Sequence, residues 1–270
     1  MVTKPRPSHH KGTVPVVKLA EEFGLPILYA ENKARLNELF RGRPAKSQLA
    51  ILIDFGIIIS QPVIDYFPLG IVNSHFSVLP EWRGADPITF AILSGQAQTG
   101  VSLMLLVEAL DEGPLLAFAE HPLTATVTAP QLTDELIALS HKLLLQTIPA
   151  YLNGSIKPVP QTATGRQTSY SRKLTKQDGV LDWHKPAARL EREVRAYLGW
   201  PRSRTTIGNT EVIVTKAQLG AGRGQPGSLW LEDKQLGVHT PDGVLIIDRL
   251  IPAGKKEMSA QAFLAGYNLN

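Results

Sequence analysis

Two side chains suited to acyl chemistry stand two residues apart in this chain, Asn73 and His75, within the run Ile71-Val72-Asn73-Ser74-His75. That run follows Pro68-Leu69-Gly70 and reads as a buried strand, and alternate residues of a strand leave the same face. The turn after it, Ser77-Val78-Leu79-Pro80, would bring both to the mouth of a sheet, where ligands of open α/β sheets bind. Asp111 takes the matching place after the next strand, on Leu110-Asp111-Glu112-Gly113-Pro114. A carboxamide, an imidazole and a carboxylate are the equipment for passing an acyl group to an amine. They supply a donor for the developing oxyanion, a proton shuttle, and a carboxylate that orients the imidazole or takes the proton. The same residue types at a strand end also serve as plain backbone caps, and spacing alone leaves both readings open.

The elements that must position these groups alternate between helical and strand patterns, which argues for α/β. Helices are predicted over 14–23, 33–41, 84–94 and 130–152, and strands over 27–29, 49–54, 71–75, 101–108 and 115–121. Asp86 stands where it can cap the helix that Pro87 begins. Residues 155–170, with Pro158 and Pro160 and little apolar periodicity, read as a linker. Beyond it a helix over 185–198 precedes short strands over 204–207, 211–218, 228–232, 235–239 and 244–250, the spacing of a small antiparallel barrel.

At 270 residues, the chain has room for two domains, here placed at 1–154 and 168–270 with residues 155–167 linking them. It holds no cysteine, which excludes disulfide scaffolds, thiolate metal sites and cysteine nucleophiles and fits a reducing cytoplasm. Its longest apolar runs fall far below the ~20 residues a membrane span needs, and no apolar secretory segment follows the basic N-terminus. Charge is uneven. Residues 1–50 carry nine Lys/Arg against four Asp/Glu, residues 51–150 two against ten, and residues 151–270 seventeen against ten. Uneven charge can mean only a solvated surface; it is also the pattern of basic flanks that meet a polyanion around an acidic middle. Gly222-Arg223-Gly224-Gln225-Pro226-Gly227 satisfies the G-x-G-x-x-G pattern but lies between strands and opens no helix, so it reads as a hairpin loop. Apart from adjacent His9-His10, no close histidine pair points to a metal, and no G-x-S-x-G elbow supports a hydrolase triad.

The run Ile71 to Ile88, IVNSHFSVLPEWRGADPI, resembles the signature of the 10-formyltetrahydrofolate-dependent formyltransferases. Gln98-Thr-Gly-Val-Ser-Leu-Met and Ala109-Leu-Asp-Glu-Gly are similar to two further motifs of that family, in the same order and separation. Past the linker, Tyr170-Ser-Arg-Lys-Leu-Thr-Lys, Leu181-Asp-Trp, Ala196-Tyr-x-x-Trp-Pro and Pro252-Ala-Gly-Lys-Lys-x-Met-Ser resemble the C-terminal domain of the branch that formylates charged initiator tRNA.

The resemblance implies an open doubly wound α/β sheet followed by an oligonucleotide-binding-like barrel, 10-formyltetrahydrofolate as formyl donor and methionyl-initiator tRNA as acceptor. It places Asn73, His75 and Asp111 on the catalytic triad, and Ser77, Val78, Leu79 and Pro80 on the folate-binding loop. Phe55 and Gly56 fall on the loop that helps line the pterin pocket. It places Lys4, Arg6 and Lys11 in a basic loop at the acceptor stem, and Arg172, Lys173, Arg189, Lys255 and Lys256 on a basic face of the second domain. It implies a cytoplasmic monomer with no metal and no membrane contact. There are departures. Phe76 and Val78 replace a small residue and a leucine, Pro114 stands where a second aspartate is usual, and Asp54 where a small apolar residue is usual. Family members begin with a strand, a glycine-containing loop and a helix ahead of the stretch that Val2-Thr3-Lys4-Pro5 resembles, so the expected sheet is truncated at its N-terminus and a coding start upstream of Met1 is expected. Rival readings are transfer to another amine, hydrolysis of the formyl donor, and a degenerate relative that only binds tRNA.

Overall fold

The computed structural model describes residues 1–6 and 12–269. Its elements run β1 (Val2–Thr3), α1 (Pro15–Glu22), β2 (Leu28–Tyr29), α2 (Lys33–Arg41), β3 (Ala50–Leu52), α3 (Gln61–Ile64), β4 (Ile71–His75), β5 (Arg83–Gly84), α4 (Pro87–Ser94), β6 (Gln98–Leu105), β7 (Leu115–Pro122) and α5 (Ala129–Leu152). There follow β8 (Tyr170–Ser171), α6 (Ala187–Ala196), β9 (Ser203–Ile207), β10 (Thr210–Gly220), β11 (Leu229–Glu232), β12 (Gln235–Thr240), β13 (Gly243–Pro252), β14 (Met258–Ser259) and α7 (Ala260–Gly266). Two compact units divide the chain. The first takes residues 1–75, 102–118 and 143–166, and the second takes 76–101, 119–142 and 167–270.

The four-stranded sheet has the order β3-β4-β6-β7. In the first unit β3 runs parallel to β4, with Leu52 opposite Asn73, and β4 runs antiparallel to β6, with His75 opposite Ser102. Every residue of β4 is buried, as a strand covered on both faces requires. A parallel pair, β1 with β2, stands as a separate ladder. The core beneath them gathers Ala30, Leu36, Val63, Phe67 and Ile71. Phe40, Tyr66 and Phe67 meet edge to face, with centroids 5.0, 5.6 and 5.1 Å apart. Helix α2 begins at Asn32, whose side chain accepts from the Arg35 amide at 3.0 Å. Helix α1 turns Val16 and Leu19 outward, Phe23 at its C-cap is exposed, and so are Ile51, Ile53 and Ile58, Ile58 at 72%.

In the second unit an antiparallel sheet orders its strands β11-β12-β13-β10-β9, with β14 on β13. A bulge between Val214 and Lys216 bends β10. Leu190 and Val194 of α6 and Phe263 of α7 close its core with Val212, Leu236, Leu245 and Ile247. The Gly222–Gly227 segment opens no helix, but it is not a hairpin either: it joins β10 to β11, which are not neighbours in the sheet. Gly222 and Gly224 lie against Trp230, Val244 and His239, where a side chain would collide. Short β5 pairs in parallel with β8, setting Gly84 against Ser171, and a Cβ on Gly84 would lie 2.1 Å from the Ser171 carbonyl oxygen. The Trp82-Arg83-Gly84 motif and Tyr170-Ser171 are thus one structural feature split across the sequence. Asp86 does stand ahead of α4, yet its side chain does not cap the helix; its Oδ2 accepts from the Leu174 amide at 3.1 Å. Among the described residues no helix is long and apolar enough to cross a membrane, and no group of three or more metal-ligating side chains occurs.

Candidate active site

Strand β4 delivers Asn73 and His75 from one face, and the turn between β6 and β7 delivers Asp111. All three are buried, at 8%, 6% and 7% exposure. His75 Nδ1 lies 3.8 Å from Asp111 Oδ2, an ion-pair separation longer than a hydrogen bond. The Asn73 carboxamide is 8% exposed and takes no side-chain hydrogen-bond partner among the described residues.

Asp111 is held in the left-handed region at φ 53°. For an L-residue this conformation costs on the order of 1–2 kcal/mol, least for aspartate and asparagine, and it persists where the surroundings impose it. Three contacts do so. The Leu105 amide donates to Pro114 O at 2.9 Å. Gly113 packs so closely that a Cβ there would stand 1.7 Å from Leu105 O. Gln161, 4% exposed, donates from Nε2 to Asp111 O at 2.8 Å and to Gly113 O at 2.9 Å. Sequence reasoning misses Gln161, because it lies in the stretch that reads as a linker and the relation is purely tertiary.

The other expected site residues divide sharply. Ser77, Val78, Leu79 and Pro80 are all buried, and the Ser77 hydroxyl donates to Glu81 O, closing the turn on itself. Phe55 is half-buried and Gly56 is at φ 65°. Lys4, expected at nucleic acid, sends its Nζ to Gly56 O at 2.7 Å and braces that loop. Arg6 is exposed and bonds Gly12 O, while Lys11 lies outside the described residues, as do His9 and His10.

In the second unit Arg172 and Arg189 are exposed in part but already engaged with neighbouring groups. Arg172 grips both carboxylate oxygens of Asp178, and its guanidinium beside Asp178 holds that carboxyl well below the usual range. Asp178 also completes a capping box with Thr175. Arg189 bonds Glu193 Oε1 at 3.1 Å and Leu93 O at 2.7 Å. Glu193, 1% exposed, takes Lys185 as well, and beside it burial pushes the Tyr197 hydroxyl up to about 12. Lys173, Lys255 and Lys256 are exposed.

Residues 6–148 match the family model for formyl transferase, and residues 173–268 that for formyl transferase, C-terminal domain. The chain is similar to a methionyl-tRNA formyltransferase of Roseiflexus castenholzii, at 35% identity over 100% of this chain and 88% of the relative. It is 39% identical to that of Halorhodospira halophila, over 94% of this chain and 82% of the relative. Among solved structures, the N-formyltransferase from Helicobacter canadensis, in complex with folinic acid and dTDP-3-aminofucose, superposes with a TM-score of 0.67 at 17% identity, covering 90% of this chain and 82% of that one. HypX from Aquifex aeolicus, in complex with tetrahydrofolic acid, gives 0.65 at 20%, covering 90% and 43%. These two share the fold. With both family domains matched and full-length relatives above a third identical, the chain belongs to the formyl transferase family.

Proposed function

We propose that the chain transfers the formyl group of 10-formyltetrahydrofolate to the α-amine of methionyl-initiator tRNA. The observation that carries this reading is the burial together of the Asn73 carboxamide, which has no side-chain partner among the described residues, and the His75–Asp111 pair, in a chain whose similarity to tRNA-acting relatives runs on through the C-terminal domain. The folate supplies an activated formyl carbonyl, whose oxygen gains negative charge as the amine adds; the adduct then collapses with cleavage of the bond from the formyl carbon to N10, which takes up the proton lost by the amine and leaves as tetrahydrofolate. The Asn73 N–H groups donate to that oxygen, and the His75 ring sits beside it as second donor and proton carrier. Asp111 holds the imidazole in orientation. The Phe55–Gly56 loop, braced by Lys4, helps to hold the pterin.

The donor set fits formyl transfer, since the reaction needs a hydrogen-bond donor and a proton relay in a site shielded from bulk water, and each is present. Lys173, Lys255 and Lys256 of the second domain and Arg6 of the first are exposed and stand among the described cations that phosphate can reach. The test is an assay with 10-formyltetrahydrofolate and methionyl-initiator tRNA. Formyl-methionyl-tRNA must form, and its formation must fail in Asn73→Ala. Release of formate without transfer to tRNA identifies a hydrolase instead, and tRNA binding with no turnover identifies a relative that only binds.

A further inference from the structure

We propose that Gln161 is a positioning residue for Asp111, so that the segment joining the two family domains carries part of the active site. The inference rests on the role given above to the His75–Asp111 pair. The geometry is specific. One NH2 group serves two carbonyls of a single turn, Asp111 O at 2.8 Å and Gly113 O at 2.9 Å. The two acceptors are the catalytic candidate itself and the residue two further on. Gln161 is 4% exposed, so water does not replace its donors readily when they are removed.

The segment that presents Gln161 is itself stitched to the first unit. Leu115 N donates to Val159 O at 2.7 Å and Val159 N to Leu115 O at 2.8 Å, and Gln161 follows directly as the first residue of a short 3-10 turn after Pro160. Leu115 begins β7, the strand that leaves the Asp111 turn. The linking segment therefore holds this turn twice, at the base through Val159 and at the tip through Gln161.

Position matters here because the His75–Asp111 separation, 3.8 Å, lies just outside hydrogen-bonding range. A shift of one ångström in the turn either closes the pair or parts it, and a misplacement of that size in an active site costs up to about 100-fold in rate. Asp111 does not hold its left-handed backbone by intrinsic preference alone. With its carbonyl released, the turn can relax toward ordinary φ values and swing the carboxylate away from the imidazole.

The experiment is a double-mutant cycle between Gln161→Glu and Asp111→Asn on the full chain. Gln161→Glu keeps the length and shape of the side chain while replacing the two donors by an acceptor; Gln161→Leu is the second variant should the first fail to fold. We expect kcat to fall about 10- to 100-fold, with KM for the folate and for the tRNA changed less than about twofold. In the Asp111→Asn background the same change should cost less than about threefold, because the group through which Gln161 acts is already gone. The ring-nitrogen NMR signals of His75 should move in Gln161→Glu in the direction they take in Asp111→Asn. Additive losses, a rise in KM with kcat unchanged, or unmoved His75 signals in a folded variant overturn the proposal. The NMR readout needs no acceptor, so an unsubstituted chain that fails to formylate tRNA defeats the functional reading while leaving the Gln161–Asp111 coupling open to measurement.

Discussion

His75 Nδ1 and Asp111 Oδ2 face each other across 3.8 Å inside the protein, with their side chains only 7% and 8% exposed. Two ionisable groups so placed are shielded from competing water, and in the proposed reaction the carboxylate orients the imidazole. Removing Asp111's charge while keeping its shape, as Asp111→Asn does, should therefore lower kcat far more than it changes KM. Steady-state kinetics at saturating tRNA check this, and an equal effect on both constants would place Asp111 in binding.

In the proposed reaction Asn73 donates most strongly as charge develops on the reacting oxygen. Asn73→Ala should cost about 10²–10³-fold in kcat, the usual loss for one oxyanion donor. Because the carboxamide has no partner among the described residues, the melting temperature should stay within a few degrees of the parent. Calorimetry beside the rate assay separates catalytic loss from unfolding.

Gly113→Ala should be severe for a different reason. Its Cβ would meet a backbone oxygen at 1.7 Å, and backbone cannot rotate aside as a side chain can. A loss of about 3 kcal/mol or more is expected in urea unfolding, together with loss of activity as the Asp111 turn is displaced.

Tyr197 is raised to about 12, chiefly by burial and secondarily by Glu193. Its folded value lies above the ordinary ~10. The unfolded chain therefore releases the proton first, and stability should fall as pH rises between these two values. Tyr197→Phe should flatten that part of the stability curve. The aspartate side works in the opposite sense. The folded carboxyl of Asp178 is depressed by Arg172, so its contribution is complete above the unfolded value of ~3.9 and is lost as pH falls below it. Melting curves at stepped pH follow both.

Lysines and arginines of the second domain should part company on mutation. Lys255→Glu and Lys256→Glu should weaken tRNA binding and reduce its salt dependence, by about one in the log–log slope for each phosphate no longer neutralised. Arg172→Ala and Arg189→Ala should instead lower thermal stability, since their guanidinium groups are engaged with Asp178, Glu193 and Leu93.

Local patterns are legible wherever local physics decides. Helix α2 spans the expected 33–41 because Asn32 caps it, and β4 spans the expected 71–75 because its apolar residues have both faces to fill. The pairing of Asn73 with His75 follows from the strand period. Other features depend on residues distant in sequence. Asp86 answers to Leu174, Lys4 to Gly56, and Asp111 to Gln161, and no periodicity announces such partners. Helix α7 escapes a reading of the sequence although Ser259 caps it, accepting from the Ala262 amide at 3.2 Å; its seven residues are too few for a repeat to stand out. Nor do the basic residues themselves reveal which of them are already occupied.

The outward-facing Val16 and Leu19 of α1 and Phe23 at its C-cap, with Ile51, Ile53 and Ile58, bear on how the chain behaves in a test tube. Ile51 lies on β3, whose far edge is unpaired in its sheet among the described residues, and unpaired strand edges beside bare apolar groups recruit other chains. Particle size in light scattering should therefore grow with protein concentration, and more steeply in sulfate, which strengthens apolar burial. Ile51→Lys with Ile58→Lys should blunt that growth, leaving a colloidally quieter protein in which the chemistry proposed for Asn73, His75 and Asp111 can be measured at the concentrations spectroscopy requires.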